Sequence, residues 1–307
     1  MSYTEIIKAA VGVQRWPRVG GIILVNIATF TWATNILLGR WLRDDIGPIT
    51  LTAGRFTVGA LVFVLLLRGR PAEDRRLAQD FWWLLGMALT GIVIFAPLLY
   101  LGLRFTTVVN ATLVNGFGPL ITGLLAAVLI GEAMTRRQVS GAIMGLAGVV
   151  ILISGGSSAI WSAIQGGLGD LIVLGAVTLW GVYSVLGRRV MQNRSPLSST
   201  AFSAFIGLPL LILAAVWEMQ VIPVRLSPEL IIAIIYIGIA PTVAGFLAWN
   251  VGVRRLGPAG AMIFFNTLPL YGALLGFLFL GESIGLPHVL GGALIIAGGV
   301  WAARRTN

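Results

Sequence analysis

The sequence predicts an all-α membrane protein whose ten transmembrane helices form two inverted five-helix repeats around a central cavity. Two observations lead to this prediction. Of the 307 residues, 57% are hydrophobic and only 10% are charged, whereas a soluble domain of this size has roughly 25% charged residues. In addition, a pattern of five apolar segments of helix length occurs in the first half of the chain and again in the second.

The repeat can be aligned residue by residue. Both halves contain the pattern P-x11-G-E-x8-G, which begins at Pro119 in the first half and at Pro269 in the second. An odd number of spans in each repeat forces the second copy to enter the bilayer in the opposite sense. The chain therefore divides into an N-terminal segment at 1–19, a first repeat at 20–154 and a second repeat at 168–303.

Each span needs about 20 consecutive apolar residues. Turn-forming pairs such as Gly47-Pro48, Ser195-Pro196 and Ser227-Pro228 separate the apolar segments and set their ends. The predicted spans are 20–39, 48–67, 81–103, 107–130, 137–154, 168–187, 198–217, 228–250, 259–280 and 285–303.

The positions of the basic residues predict the orientation of these spans. Ten spans place both termini on the same side of the membrane, and sixteen Lys and Arg residues fall on that side against four on the other. Because loops rich in Lys and Arg stay in the cytoplasm, we expect both termini to be cytoplasmic.

Composition also argues against several classes of protein. The chain has no Cys and one His, so we expect no metal, no cofactor and no catalytic nucleophile, and hence no enzyme. The net charge of +10 comes from Arg clusters between apolar segments, without the interleaved aromatic residues of a nucleic-acid interface. We therefore expect a lipid bilayer as the surroundings and no nucleic acid as a partner.

Polar and aromatic residues inside the spans predict a small-molecule pocket that is aromatic, rich in amides and nearly uncharged. Trp32 and Trp180 are mid-span and equivalent in the repeat, so both should lie near the pseudo-twofold axis. A break at Gly116–Pro119 would free backbone groups, which a membrane protein tolerates beside a cavity. For each Asn, a bond to a neighbouring helix is the open alternative. The candidate substrate-binding residues are Thr29, Trp32, Asn35, Tyr100, Asn110, Asn115, Trp180, Tyr183, Trp249, Asn250, Asn266 and Tyr271.

Three charged residues need separate explanations. Arg55 lies inside a predicted span, where an Arg costs about 2.5–3.5 kcal/mol on insertion scales. It is either a carboxylate contact in a wet cavity or a structural residue. Glu132 and Glu282 each follow a Gly that can end a helix, and we expect them to cap helix hairpins by accepting bonds from free amides. A pair of gates is the alternative.

With these motifs the chain resembles the EamA family of the drug/metabolite transporter superfamily. The resemblance covers residues 20–303 and rests on the ten spans, on Gly54-Arg55-Phe56 and on both copies of P-x11-G-E-x8-G. It implies a basket-like bundle in which spans 1, 3, 4, 6, 8 and 9 surround a central cavity. It also implies an inner-membrane exporter of metabolites, either a monomer or a weak homo-oligomer. The second half lacks the Arg-Phe pair, so that motif cannot act symmetrically.

Within this family, the predicted pocket is similar to amino-acid exporters of the YddG type, which implies export of neutral, above all aromatic, amino acids by alternating access. A broad-specificity drug exporter is the open alternative, although such proteins usually offer an intramembrane acid. A nucleotide-sugar exchanger would need several Lys or Arg residues at mid-depth, and the spans supply only Arg55.

Overall fold

The computed structural model describes residues 16–68, 80–131, 134–154, 167–256, 264–265 and 267–303. Every regular element in these ranges is a helix. Two of the helices, α3 and α8, contain a π-helical segment, and α4 consists of two parts. The elements are α1 (Trp16–Trp41), α2 (Pro48–Arg68), α3 (Phe81–Met87, π-helical Ala88–Ile94, Phe95–Gly102), α4 (Val108–Gly116, Gly118–Ile130), α5 (Arg136–Ser154), α6 (Leu168–Val190), α7 (Pro196–Glu218), α8 (Pro228–Ile239, π-helical Ala240–Gly245, Phe246–Leu256), α9 (Thr267–Leu280) and α10 (Leu286–Ala303).

The helices identify a multi-pass membrane protein. In the ranges that the structure describes, seven helices are long and apolar enough to cross a bilayer, namely α1 to α4 and α6 to α8. The described parts of α9 and α10 are apolar but shorter, and α5 has 19 residues beginning with Arg136 and Arg137. The all-helical fold is thus confirmed, whereas the count of ten spans stays a prediction.

Local chemistry explains where the helices begin and end. Ser195 and Ser227 each precede a Pro at the first helical position, and their side chains accept bonds from the amides of Ser198 and Leu230. These residues are favoured N-caps because they satisfy amides that lack a partner within the helix. At the other end, Gly131 of the repeated Gly-Glu pair ends α4 with a φ of +69°. Glycine adopts this left-handed conformation without a steric penalty.

Contacts between helix ends show that successive helices alternate in direction. Arg40, at the end of α1, donates to the carbonyl groups of Leu103 and Arg104 at the end of α3. Asp170, at the start of α6, meets Thr106 at the same end of the bundle. We call this the Arg40 end and the opposite one the Arg188 end. Since α1 runs towards the Arg40 end and its equivalent α6 runs away from it, the two repeats are inverted.

Helices α5 and α10 pack against each other through glycines that the repeat relates. A Cβ added to Gly141 would lie 2.5 Å from the carbonyl oxygen of Gly298, and a Cβ on Gly148 would lie 2.5 Å from that of Gly291. In the repeat Gly141 is equivalent to Gly291, and Gly148 to Gly298. Gly141 therefore meets the equivalent of Gly148, and Gly148 meets the equivalent of Gly141. A pseudo-twofold axis produces this reciprocal contact.

Candidate functional site

Two adjoining cavities lie inside the bundle, with volumes of about 70 and 190 Å³. One water needs about 10–15 Å³ of such volume, so both cavities have room for a small polar molecule. Both are bordered by residues of α1, α4, α6, α7, α8 and the segment before α9, which include Trp32, Asn115, Trp180, Tyr183, Thr200, Phe246 and Phe265. Both cavities also contact α3, and the smaller one contacts α2 as well. The family resemblance implies a cavity surrounded by helices 1, 3, 4, 6, 8 and 9. The structure adds α2 and α7 to these helices.

The larger cavity reaches the surface at the Arg188 end. Its walls include Arg188 and Met191 at the end of α6, and Met191 is 40% exposed. At the opposite end, Ile36, Leu99 and Leu103 are buried in one apolar cluster with exposures of at most 3%. The bundle is therefore closed at the Arg40 end and open at the Arg188 end.

The smaller cavity contains Arg55, which side chains from three other helices hold in place. Its Nε donates to Thr242 Oγ1 of α8 at 3.1 Å, and its Nη1 donates to the Tyr100 hydroxyl of α3 at 3.0 Å and to Asn35 Oδ1 of α1 at 3.3 Å. The Tyr100 hydroxyl donates in turn to Asn35 Oδ1 at 2.6 Å. Arg55 is only 5% exposed and also lines the cavity.

The charge of Arg55 is unbalanced. An Arg side chain stays protonated in proteins, and among the described residues no carboxylate forms an ion pair with Arg55. The same residues supply no acceptor for its Nη2. A buried cation without a partner is costly, so this wall of the cavity attracts an anionic group.

Aromatic rings form the remaining walls. Trp180 stacks on Tyr183 with ring centroids 4.8 Å apart and lies 4.9 Å from Phe95. Trp32 contacts Phe246 at 5.7 Å and Trp249 at 5.6 Å. Such surfaces bind flat apolar groups by burial and by ring stacking.

The π-helical segments of α3 and α8 place these rings. In α8 the carbonyl oxygen of Pro241 accepts a bond from Trp32 Nε1 at 3.2 Å. In α3 the ring of Tyr183 fills the space where a Cβ of Gly91 would stand. The aromatic residues of each repeat thus pack on the π-helical segment of the other. Such segments occur frequently at functional sites.

The structure brings about half of the sequence-predicted residues together. Six of the twelve, and Arg55, line the cavities, while Tyr100 lies directly behind Arg55. Glu132, Asn266 and the side chain of Asn250 lie outside the described residues. The six cavity-lining members of the predicted set are Trp32, Asn35, Asn115, Trp180, Tyr183 and Trp249.

Three predicted residues bond to neighbouring helices instead. The Thr29 hydroxyl lies 2.9 Å from that of Thr267, and the Tyr271 hydroxyl donates to Asn26 Oδ1 at 2.9 Å. Asn110 Nδ2 donates to Asp170 Oδ2 at 2.8 Å. None of the three lines either cavity, so the helix-bonding alternative describes Asn110 in this conformation.

Glu282 caps a helix, but one that is distant in sequence. Its carboxylate accepts from the amides of Val108 and Val109 at the start of α4, at 2.8 and 3.0 Å. Glu218, which no sequence motif singled out, accepts in the same way from the amides of Ile49 and Thr50 at the start of α2. Both carboxylates therefore join helices at the closed end, where they complement the helix dipoles.

Sequence reasoning also missed several residues of the cavity walls. Phe95, Phe246 and Phe265 line the cavity but look like ordinary lipid-facing residues in an apolar span. Thr242 gave a detectable signal, because Pro241 precedes it inside a predicted helix and Pro leaves backbone groups unpaired.

Comparisons with known proteins agree with this architecture. The chain is 31% identical over 281 residues to the uncharacterized transporter YyaM of Bacillus subtilis, covering 90% of this chain and 91% of that protein. It is 29% identical to the aromatic amino acid exporter YddG of Ancylobacter novellus, covering 74% and 77%. A probable terminal-alkyne amino-acid exporter of Streptantibioticus cattleyicolor is 28% identical, covering 91% and 92%.

A solved crystal structure superposes with a TM-score of 0.62 at 25% identity, covering 93% of this chain and 96% of the other. The sequence profile of the EamA-like transporter family matches residues 19–154 and 167–303, which are nearly the whole chain. The protein therefore belongs to the EamA-like transporter family and is a membrane transporter, not an enzyme.

Proposed function

We propose that this protein exports neutral, above all aromatic, amino acids across the inner membrane by alternating access. The observation that carries the proposal is the smaller cavity, where Arg55, which pairs with no carboxylate among the described residues, lies in otherwise aromatic and uncharged walls. A substrate that fits needs one carboxylate and an apolar body. One relative named above is an aromatic amino acid exporter and another is a probable terminal-alkyne amino-acid exporter, which supports this choice.

Three groups would recognise the substrate. Arg55 Nη2 would donate to the substrate carboxylate, since charge-assisted bonds from Arg are strong and directional. Asn115 Nδ2 donates to the carbonyl oxygen of Ala111 within α4. Asn115 Oδ1 is therefore left to accept from the substrate ammonium group. Trp180 and Tyr183 would stack on an aromatic side chain.

The observed conformation would be the one that loads substrate. By the distribution of basic residues the Arg188 end would lie in the cytoplasm, and the larger cavity opens at that end. Export then requires the Arg188 end to close and the Arg40 end to open, with the two inverted repeats exchanging conformations. The whole chain would cross the membrane ten times, with both termini in the cytoplasm.

Flux measurements on protein in liposomes test the proposal. We expect saturable flux of radiolabelled phenylalanine or tryptophan, inhibited by unlabelled amino acids but poorly by the matching decarboxylated amines, because only the amino acids carry the group that Arg55 would bind. No flux above that of empty liposomes, from protein shown to be folded, would refute amino-acid export. Flux of aromatic amines or cationic dyes instead would favour a broad-specificity exporter.

Replacement of Arg55 by Met tests the assigned contact. Hydrogen bonds to charged groups contribute about 1.5–3 kcal/mol, so KM for phenylalanine should rise by about 10- to 100-fold. Arg43→Met is the matched control, because Arg43 lies at the surface and pairs with Asp44. An unchanged KM in folded Arg55→Met protein would show that Arg55 has only a structural role.

A further inference from the structure

A second polar site lies outside the cavities, at the closed Arg40 end. Asp170, in the first turn of α6, is only 3% exposed. One of its carboxylate oxygens accepts from the Thr106 hydroxyl, and the other accepts from Asn110 Nδ2 at 2.8 Å. Both partners are neutral. Among the described residues, no Lys, Arg or His nitrogen lies within 4.0 Å of this carboxylate.

The neighbouring Asn110 supplies an independent sign that the site is incomplete. Its Oδ1 is buried, and none of the described residues donates to it. Because its Nδ2 is bonded to Asp170, this oxygen belongs to the same small group of atoms. A buried acceptor without a donor costs about 1–3 kcal/mol. A bound Na⁺ would coordinate both Asp170 and Asn110 Oδ1, whereas a proton on Asp170 would be donated to Oδ1 once the Asn110 amide group rotates by half a turn.

Among the described residues, the charged groups nearest the site form no ion pair with Asp170. Arg104 lies on the turn before Thr106, where its Nη1 is buried without an acceptor among the described residues, and it forms no ion pair with Asp170. His288 of α10 interacts with Asp170 electrostatically, but its Nδ1 accepts from the Gly285 amide at 2.9 Å. Glu282 is occupied by the amides of α4.

We infer that Asp170, Asn110 and Thr106 form a binding site for one monovalent cation, H⁺ or Na⁺, that couples to the transport cycle. The physical reason is that a buried carboxylate without a cationic partner costs several kcal/mol, which binding of a single positive charge offsets. Either ion supplies that charge, and the experiments below distinguish the two.

The location of the site links cation binding to the opening of the Arg40 end. Asp170 belongs to the second repeat and Asn110 to the first. At the same contact, a Cβ on Gly169 would lie 2.5 Å from the backbone of Phe105. Separation of α4 from α6 at this end would break the bond between Asp170 and Asn110 and expose the carboxylate. Cation binding and closure therefore favour each other, since two linked equilibria must act reciprocally.

Helix α4 also connects the cation site to the substrate cavity. Asn110 lies five residues before Asn115, which lines both cavities. Five residues of α-helix span about 7.5 Å. A change of occupancy at Asp170 thus acts on the same short segment that would contact the substrate.

This inference rests on the proposed transport activity, but its first test needs no substrate. Thermal unfolding of the purified protein would be followed across a range of pH at constant Na⁺, and with Na⁺ replacing K⁺ at constant ionic strength. We expect one cation to raise the unfolding temperature of the wild type and this rise to be lost in Asp170→Asn. Dependence on pH identifies a proton, and dependence on Na⁺ identifies sodium.

Asp44→Asn is the matched control, because the side chain of Asp44 is 70% exposed. It should keep the full response. If Asp170→Asn cannot be purified folded, Asn110→Ala takes its place, because it keeps the Asp170 carboxylate and removes Asn110 Oδ1. The rise of its unfolding temperature with the cation should be smaller than that of the wild type. A wild type that responds to neither cation, or variants at residues 170 and 110 that respond like the wild type, would overturn the inference.

Flux in liposomes then tests the coupling itself. A gradient of the identified cation should accelerate amino-acid flux through the wild type, whereas Asp170→Asn should keep only the flux that is independent of the gradient. If no amino acid is transported while the unfolding response still depends on Asp170, the proposed substrate class is wrong and the cation site stands. Gradient-driven flux that is equal in both proteins would refute the coupling.

Discussion

Tyr100 is a positioning residue for Arg55 in this conformation. Its hydroxyl accepts from Arg55 Nη1 at 3.0 Å and donates to Asn35 Oδ1 at 2.6 Å, while its side chain is only 2% exposed. The sequence selected Tyr100 and Asn35 as substrate contacts because both are polar and lie within a span. Their bonds to each other and to Arg55 suggest that they fix the direction of the guanidinium group.

Tyr100→Phe should therefore weaken substrate binding without removing the Arg55 charge. One neutral hydrogen bond contributes about 0.5–1.5 kcal/mol, so KM for phenylalanine should rise by about 2- to 10-fold at nearly unchanged maximal flux. Competition by a decarboxylated amine should not change, since the amine makes no contact with Arg55.

The matched control for this prediction is Tyr236→Phe. The Tyr236 hydroxyl lies 2.8 Å from that of Thr34 in a bond that does not include Arg55. Equal changes of KM in both variants, or weaker competition by the amine in Tyr100→Phe alone, would contradict a positioning role.

At the scale of the helices, close contacts rather than side-chain volume hold α5 against α10. Gly148 faces the backbone of Gly291, and Gly141 faces that of Gly298. Small residues allow helices in a membrane to approach closely, where dispersion contacts replace the missing hydrophobic driving force. The same contact explains why these glycines belong to the part of the repeat that can be aligned letter by letter.

Gly148→Ala should destabilise the protein, because its methyl group would lie 2.5 Å from the carbonyl oxygen of Gly291. Overpacking of this kind costs about 1–3 kcal/mol, which a lower thermal unfolding temperature in detergent would reveal. Gly175→Ala is the control, since the nearest atom to its added Cβ is 3.8 Å away and alanine favours helix. Equal stability of the two variants would show that α5 and α10 can move apart at no cost.

Considered as a whole, the molecule is closed at the Arg40 end and open at the Arg188 end. Apolar packing closes the first end, as shown by Ile36 with 3% exposure, whereas Ser184 lines the larger cavity. The absence of Cys from the sequence allows each position to be probed by a single introduced thiol.

Ser184→Cys should react with a membrane-impermeant maleimide applied from the cytoplasmic side, and substrate should slow the reaction. Ile36→Cys should stay unlabelled from either side until the Arg40 end opens. Mass spectrometry of inside-out and right-side-out vesicles measures both rates. Labelling of Ser184→Cys only from outside the cell would reverse the assigned orientation, and rapid labelling of Ile36→Cys would contradict the closed end.

The helix positions were predictable because they depend on short-range chemistry. Apolar segments bounded by Ser-Pro and Gly-Pro pairs set the predicted spans, and helices such as Pro48–Arg68 and Leu168–Val190 begin at the predicted residues. The break in α4 is confirmed at Phe117. The π-helical segments were not predicted. Nothing in Ala88–Ile94 distinguishes it from an α-helix, and Pro241 in Ala240–Gly245 indicates an irregular helix without indicating its π-helical form.

The sequence by itself determined that this chain is an all-helical, duplicated membrane protein, that Arg55 lies within a span, and that Trp32 and Trp180 are equivalent. Composition, periodicity and internal repetition decide these properties, and none depends on contacts between distant residues. Only the tertiary structure decided that Arg55 faces a cavity with no carboxylate partner in the described part of the chain, that Asn110 bonds to Asp170, and that Glu282 caps α4. These pairings join residues 60 or more positions apart, and the packing of the inverted repeats, rather than local propensity, brings them together.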